Sequence, residues 1–208
     1  MLFIFDMGGV VTDNVVVIPR IAEKLGITES DFYRFAKQSA LPETIAAAKR
    51  GPNPYAEGGL ADLQRGTLDE AQFWYNFEKV SGIAVPCDYW RFYFQPEKIA
   101  GTYQLIEALR KKYRVVAGTN TIRCHYDVHN ERGDYACFDK VYASHLMGII
   151  KPDAEFWHFI LEMERTPPEQ TVFFDDNEDN VRAALKLGIQ AHLFTSSDEA
   201  ASTVREWL

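Results

Sequence analysis

Cysteine is scarce in this chain, at three in 208 residues. Cys87, Cys124 and Cys137 are odd in number and form no C-x-x-C pair, so neither a disulfide framework nor a structural zinc site is expected. Buried free thiols are the plain reading, and they fit a reducing compartment. Positive charge is also short. The 22 Lys and Arg against 30 Asp and Glu leave a net charge of −8, which argues against the basic face of a general nucleic-acid binder. No apolar run approaches the ~18–20 residues that a membrane span needs. The opening MLFIFDMGG has no basic n-region and reaches an acid at its sixth residue, so no secretory signal is expected. These absences lead to the expectation of a cytoplasmic globular protein with neither nucleic-acid nor membrane partners.

What is present is ordinary in bulk, with 47% hydrophobic and 25% charged residues. At about 100–200 residues per domain, the length allows one domain, or one carrying a sizeable insertion. Four short apolar runs, LFIF (Leu2 to Phe5), YRVVAG (Tyr113 to Gly118), KVYAS (Lys140 to Ser144) and TVFF (Thr171 to Phe174), read as strands. AHLF (Ala191 to Phe194) is a fifth. Amphipathic patterns lie between them: TYQLIEALRKK, AEFWHFILEMER and NVRAALKLG. Continuous apolar strands alternating with helices predict an α/β fold, a doubly wound parallel sheet covered on both faces.

The first two strands are far apart. The intervening residues, about 14–95, read as helices in VIPRIAEKLG, SDFYRFAKQ, PETIAAAKR and TLDEAQFWYNFEKVSG, with a break at GPNPYAEGG (Gly51 to Gly59). So long a stretch is not a simple connection. It predicts a helical cap (14–95) inserted in a core formed by 1–13 and 96–208, the chain leaving near Thr12–Val15 and returning near Tyr93–Pro96.

In a doubly wound sheet, ligands bind beyond the carboxyl ends of the strands. Asp6 follows the first strand, with Gly8 and Gly9 after it. Thr119 and Asn120 follow the second, Lys151 comes after the third, and Asp175 and Asp176 follow the fourth, with Asn180 one turn on. Each type suits phosphoryl transfer. A carboxylate can be a nucleophile, several acidic oxygens suit Mg²⁺, and a hydroxyl, backbone N–H groups and a lysine suit the charged equatorial oxygens. Taken singly, each has a plainer explanation, such as a turn-forming Asp or an N-cap in Asp175-Asp176-Asn177. Their order, each behind a strand, is what chance does not supply.

FDMGGVVTD, AGTNT, IIKPD and FFDDNEDN, in that order, resemble the four motifs of the haloacid dehalogenase (HAD) superfamily, and the insertion falls where that superfamily places its helical C1 cap. TNT and FFDDNxDN further resemble the α-D-glucose-1-phosphate phosphatases and the phosphatase domain of soluble epoxide hydrolases. The resemblance implies a Mg²⁺-dependent phosphatase that hydrolyses a small phosphorylated metabolite, a sugar phosphate by preference, through an aspartyl-phosphate. It implies Asp6 as nucleophile and metal ligand, and the Gly8 carbonyl as a second ligand. Thr119 and Asn120 would hold the phosphoryl group, and Lys151 would neutralise nucleophile and phosphate. Asp176 is the implied principal acidic ligand, Asp175 coordinates or orients a metal-bound water, and Asn180 supports them.

One position departs from the pattern. Most phosphatases of the superfamily read Asp-x-Asp, and Gly8 stands where the second Asp would act as acid and base. That leaves two other readings: a HAD-like binding protein with little catalysis, and a metal-independent dehalogenase. The acidic pair Asp175-Asp176 speaks against the dehalogenase. Asp13 is a candidate replacement proton donor. His125 and His129 have the i,i+4 spacing of a metal pair but lack the acid of H-E-x-x-H, and His158 in FWHFIL reads as a core or boundary histidine. FWYNF reads as packing within the cap, and YWRFYF as cap-to-core packing or, alternatively, as a pocket wall.

Overall fold

The computed structural model describes residues 1–43 and 57–208. At its centre lies β1 (Leu2–Phe5), flanked by β4 (Arg114–Thr119) and β6 (Thr171–Asp175), with β5 (Lys140–Ala143) and β7 (Gln190–Leu193) outermost. Every pair in this five-stranded sheet is parallel, and the register sets Phe5 opposite both Ala117 and Phe174. Successive residues of a strand face opposite ways, so both faces of β1 must be covered. Phe3 and Phe5 pack in one apolar cluster with Leu105 and Leu109 of α6 (Ala100–Arg110). Leu2 and Ile4 pack in another with Phe156, Trp157 and Ile160 of α9 (Ala154–Glu164). Burying one such side chain is worth about 1.5–3 kcal/mol, which is why the strands read as unbroken apolar runs.

A third cluster belongs to helices between the first two strands of the sheet. These are α1 (Ile18–Leu25), α2 (Glu29–Gln38), α3 (Gly58–Arg65), α4 (Glu70–Ser81) and α5 (Tyr89–Tyr93). Their buried rings, Phe32, Phe73, Trp74, Phe77 and Trp90, meet one another. Local signals define the ends. Thr28 and Asp69 cap α2 and α4 by accepting the amide N–H of Asp31 and of Gln72, and Gly26 and Gly82 close α1 and α4 in the left-handed conformation. The two chain crossings run side by side as an antiparallel ribbon of β2 (Thr12–Asp13) and β3 (Glu97–Lys98). Asn14, at φ 57°, turns the chain there and donates Nδ2 to the Gln95 carbonyl at 2.8 Å.

The structure corrects several sequence expectations. Gly58 and Gly59, read as part of a break, open α3. A Cβ at Gly58 would lie 2.5 Å from the Lys37 backbone, and one at Gly59 2.7 Å from the Ala36 carbonyl, so these glycines mark a close approach of α3 to α2. Most of PETIAAAKR and of the expected break lies outside the described residues. Of the three thiols, Cys124 and Cys137 are buried but Cys87 is exposed. His158 is exposed too, because α9 turns Phe156, Trp157, Ile160 and Leu161 inward instead. No described helix is long and apolar enough to cross a membrane.

Candidate active site

Beyond the carboxyl ends of β1, β4 and β6 the chain gathers one ammonium and three carboxylates. Asp6 leaves β1 with its amide N–H still donating to the Phe174 carbonyl at 2.9 Å, which fixes it at the sheet edge. Lys151 is buried, and its Nζ lies 2.9 Å from Asp6 Oδ1, 2.6 Å from Asp175 Oδ2 and 3.0 Å from the Gly118 carbonyl. The ammonium is thus spent entirely on fixed acceptors. The two carboxylates hold it charged, above the ordinary lysine value, against the opposing effect of burial. Burial pushes the Asp6 carboxyl up to about 7, with Asp175 and Asp176 adding to that rise while Lys151 opposes it.

Asp175 is fully buried and fully engaged. Oδ2 takes Lys151, while Oδ1 accepts the Asn177 amide N–H at 2.8 Å and Asn180 Nδ2 at 3.0 Å. Asp176 is exposed toward the cavity, and its carboxyl is raised by burial of its surroundings and by Asp175. Asp6, Asp175 and Asp176 each offer an oxygen, and the three lie within 4.8 Å of one another; among the described residues this is the cluster that could hold a metal ion. Gly9 shapes it. At φ 74° a Cβ there would come 2.2 Å from Asp176 Oδ2, so a side chain at this position would displace the carboxylate.

Thr119 ends β4 and faces the cavity. The Asn120 side chain turns to Lys151. Its Nδ2 donates to the Lys151 carbonyl at 2.9 Å and its Oδ1 accepts the Lys151 N–H at 2.8 Å, so the amide mimics a paired peptide and positions Lys151. Ser144 does the same for the neighbouring loop, its Oγ accepting the Thr121 N–H at 2.9 Å and donating to the Thr121 carbonyl at 3.1 Å. Neither partnership has a local sequence signature. The Gly8 backbone lines the cavity, and a Cβ there would meet Val15 Cγ2 at 3.1 Å. Asp13 is exposed on β2 and accepts the amide N–H of Asn14, away from the cavity lining.

His125 and His129 do not converge as a metal pair. His129 Nδ1 pairs with Asp134 at 2.9 Å, and His125 stacks on Phe94 at 3.8 Å with its Nε2 3.2 Å from the Trp90 carbonyl. A carbonyl only accepts, so Nε2 carries the proton. Trp90 and Phe94, from YWRFYF, combine both readings of that segment: they are buried among the helices and they line the cavity. The cavity holds about 310 Å³, with the carboxylates and Lys151 as its floor and the helices above as its roof.

With this geometry in hand, the family can be assigned. The model of the family described as "haloacid dehalogenase-like hydrolase" matches residues 1–188. The chain belongs to the haloacid dehalogenase-like hydrolases. Among solved structures similar to this hydrolase, one described as a predicted HAD-like family hydrolase from Porphyromonas gingivalis superimposes with a TM-score of 0.75 at 23% identity, covering 99% of this chain and 96% of that one. A HAD family enzyme from Bacteroides thetaiotaomicron, crystallised with magnesium and inorganic phosphate as an Asp-to-Ala mutant, gives 0.70 at 21% identity with 94% of each chain covered. In sequence, a D-ribitol-5-phosphate phosphatase from B. thetaiotaomicron is 25% identical over 201 residues, 90% of this chain and 88% of that protein. Two fungal relatives match in part. Drimenol cyclase drtB of Aspergillus calidoustus is 44% identical over 66 residues, 32% of this chain and 12% of that protein. Sesquiterpene phosphatase astK of Aspergillus oryzae is 34% identical over 73 residues, 35% of this chain and 37% of that protein.

Proposed function

We propose that this hydrolase is a Mg²⁺-dependent phosphatase of small phosphate monoesters. The observation that carries the reading is the Lys151 ammonium held between Asp6 and Asp175, with Asp176 completing the carboxylate cluster at the floor of the cavity. The cluster fits a hard divalent cation, which favours oxygen ligands. Asp6, Asp176 and the Gly8 carbonyl would hold it directly, and Asp175, already saturated by Lys151, Asn177 and Asn180, would orient a coordinated water. The cation would supply charge neutralisation to the ester.

This chain's own residues perform the rest. An Asp6 oxygen attacks phosphorus as the P–O bond to the alcohol breaks, giving an aspartyl-phosphate and an alkoxide that must gain a proton; water then cleaves the acyl phosphate and restores Asp6. Thr119 and the backbone N–H groups that follow it would bind the equatorial oxygens, and Lys151 offsets the charge of Asp6 as the phosphoryl group arrives. The described helices α1 to α5 act as the cap that shelters the site from bulk water. The relative named for D-ribitol 5-phosphate supports a phosphorylated polyol or sugar as substrate. The partial match to a sesquiterpene phosphatase supports an apolar alcohol instead.

The test is a panel of phosphate monoesters assayed with Mg²⁺ and with chelator, in wild type and in Asp6→Asn. Metal-dependent turnover that disappears in a folded Asp6→Asn is expected. Equal turnover in the two proteins would remove Asp6 from the mechanism, and hydrolysis of haloacids without metal would favour the dehalogenase reading.

A further inference from the structure

The floor of the cavity handles charge, and its roof holds something different. Val15, Val17, Leu60, Leu63, Trp90 and Phe94 face the floor from α1, α3, α5 and the segments beside them, and Ile122 joins them from the core side. Polar side chains are few among the described residues of this roof. Gln64 is one. His125 and His129 are others, but the His125 Nε2–H is given to the Trp90 carbonyl and its ring face to Phe94, and His129 Nδ1 is held by Asp134. Burial also drives His125 down to about 3, so it brings no charge to the cavity near neutral pH. At the rim, Val16 also lines the cavity although it is 60% exposed.

We infer that the alcohol part of the substrate is apolar, an alkyl or prenyl chain, and that the roof formed by Val15, Val17, Leu60, Leu63, Trp90 and Phe94 selects it over a sugar or polyol. The inference rests on the phosphomonoester reading of the floor and names the class of ester. A polyol placed against this roof would lose hydration at several hydroxyls and find few partners, which disfavours it. A hydrocarbon there loses nothing and removes apolar wall from water. The exposed Val16 extends that wall outward, so a chain longer than the cavity continues along an apolar rim.

The chain-length dependence of binding tests this without turnover. Straight-chain alkylphosphonates from ethyl to octyl, titrated calorimetrically into the Mg²⁺-loaded protein, share one head group and differ only in methylenes. Affinity should rise by up to about fourfold per buried methylene, for a total of at least tenfold, and Val16→Asp should cut the octyl-to-ethyl ratio at least threefold. A flat series overturns the inference, and so does an unchanged ratio in Val16→Asp. Alkyl phosphates assayed beside glucose 1-phosphate and ribitol 5-phosphate distinguish the two levels. Higher kcat/KM for either polyol ester than for octyl phosphate overturns the apolar class and leaves the phosphatase standing. A rising binding series with no ester hydrolysed supports the apolar ligand class and removes the phosphatase.

Discussion

The Asn120 side chain clasps Lys151 by its backbone, donating to the carbonyl at 2.9 Å and accepting from the N–H at 2.8 Å. The two residues are 31 positions apart, so this clasp fixes the loop after β5 against the end of β4. It decides where the Lys151 ammonium arrives. In Asn120→Ala both backbone groups lose their partner, at a cost of about 1–3 kcal/mol each where water cannot replace it. We expect a lower Tm and a kcat reduced at least tenfold, while Asn120→Gln recovers neither. Wild-type kcat in Asn120→Ala, measured on any ester the protein hydrolyses, would show that Lys151 needs no such support.

Gly9 is expected to be intolerant for a reason of space and backbone together. Gly9→Ala puts a methyl where Asp176 Oδ2 stands, 2.2 Å from the ideal Cβ, at a φ of 74° that costs an alanine about 1 kcal/mol or more. Asp176 must move aside. Mg²⁺ affinity, read by titration, should fall at least tenfold, and a larger fall is expected in Asp176→Ala than in Asn180→Ala. Unchanged affinity in Gly9→Ala would take Asp176 out of the ligand set.

The raised Asp6 carboxyl makes stability depend on pH. Its value near 7 exceeds the ordinary 3.8, so between these values the folded chain holds a proton that the unfolded chain has lost. Through this group, stability is greatest at low pH and falls as pH rises toward and through 7. In metal-free protein, Tm should therefore decline from pH 5 to pH 8 by about 5 °C or more beyond the decline in Asp6→Asn. Mg²⁺ should recover the wild-type loss at pH 8. Parallel Tm profiles in the two proteins would contradict the assignment.

Gly8 leaves the departing alkoxide without a carboxylic acid. General acid help is worth about 10²–10⁴-fold, so in wild type kcat/KM should drop steeply as the pKa of the leaving alcohol rises. Installing an acid needs room, because a Cβ at position 8 meets Val15 at 3.1 Å. The double variant Gly8→Asp, Val15→Ala is expected to flatten the profile where Gly8→Asp alone does so less. A flat wild-type profile would mean that another group already delivers the proton.

Much of this architecture was written locally. LFIF, TVFF and their acidic successors are legible because a buried parallel strand must be apolar throughout and must end where polar groups can be satisfied. Hence Asp6, Thr119, Lys151, Asp175 and Asp176 could be placed at one edge from order alone. The failures share a cause, which is distance along the chain. Gly58 and Gly59 looked like a break because the backbone that crowds them, at Lys37 and Ala36, lies some twenty residues earlier. The clasp of the Asn120 side chain on Lys151 left no local signal for the same reason, since its partner lies 31 residues later. Trp90 and Phe94 were divided between packing and pocket, whereas a wide ring can do both at once.

The arrangement of Lys151 among Asp6, Asp175 and Asp176 also dictates an order of arrival. Three carboxylates face a single ammonium, and that ammonium is turned inward to Asp6, Asp175 and the Gly118 carbonyl. An incoming phosphate dianion therefore meets repulsion first, and a divalent cation meets attraction. The cation is the first visitor and the ester the second. Initial rates should accordingly follow ordered two-ligand kinetics, in which raising the ester concentration lowers the cation concentration needed for half-maximal rate.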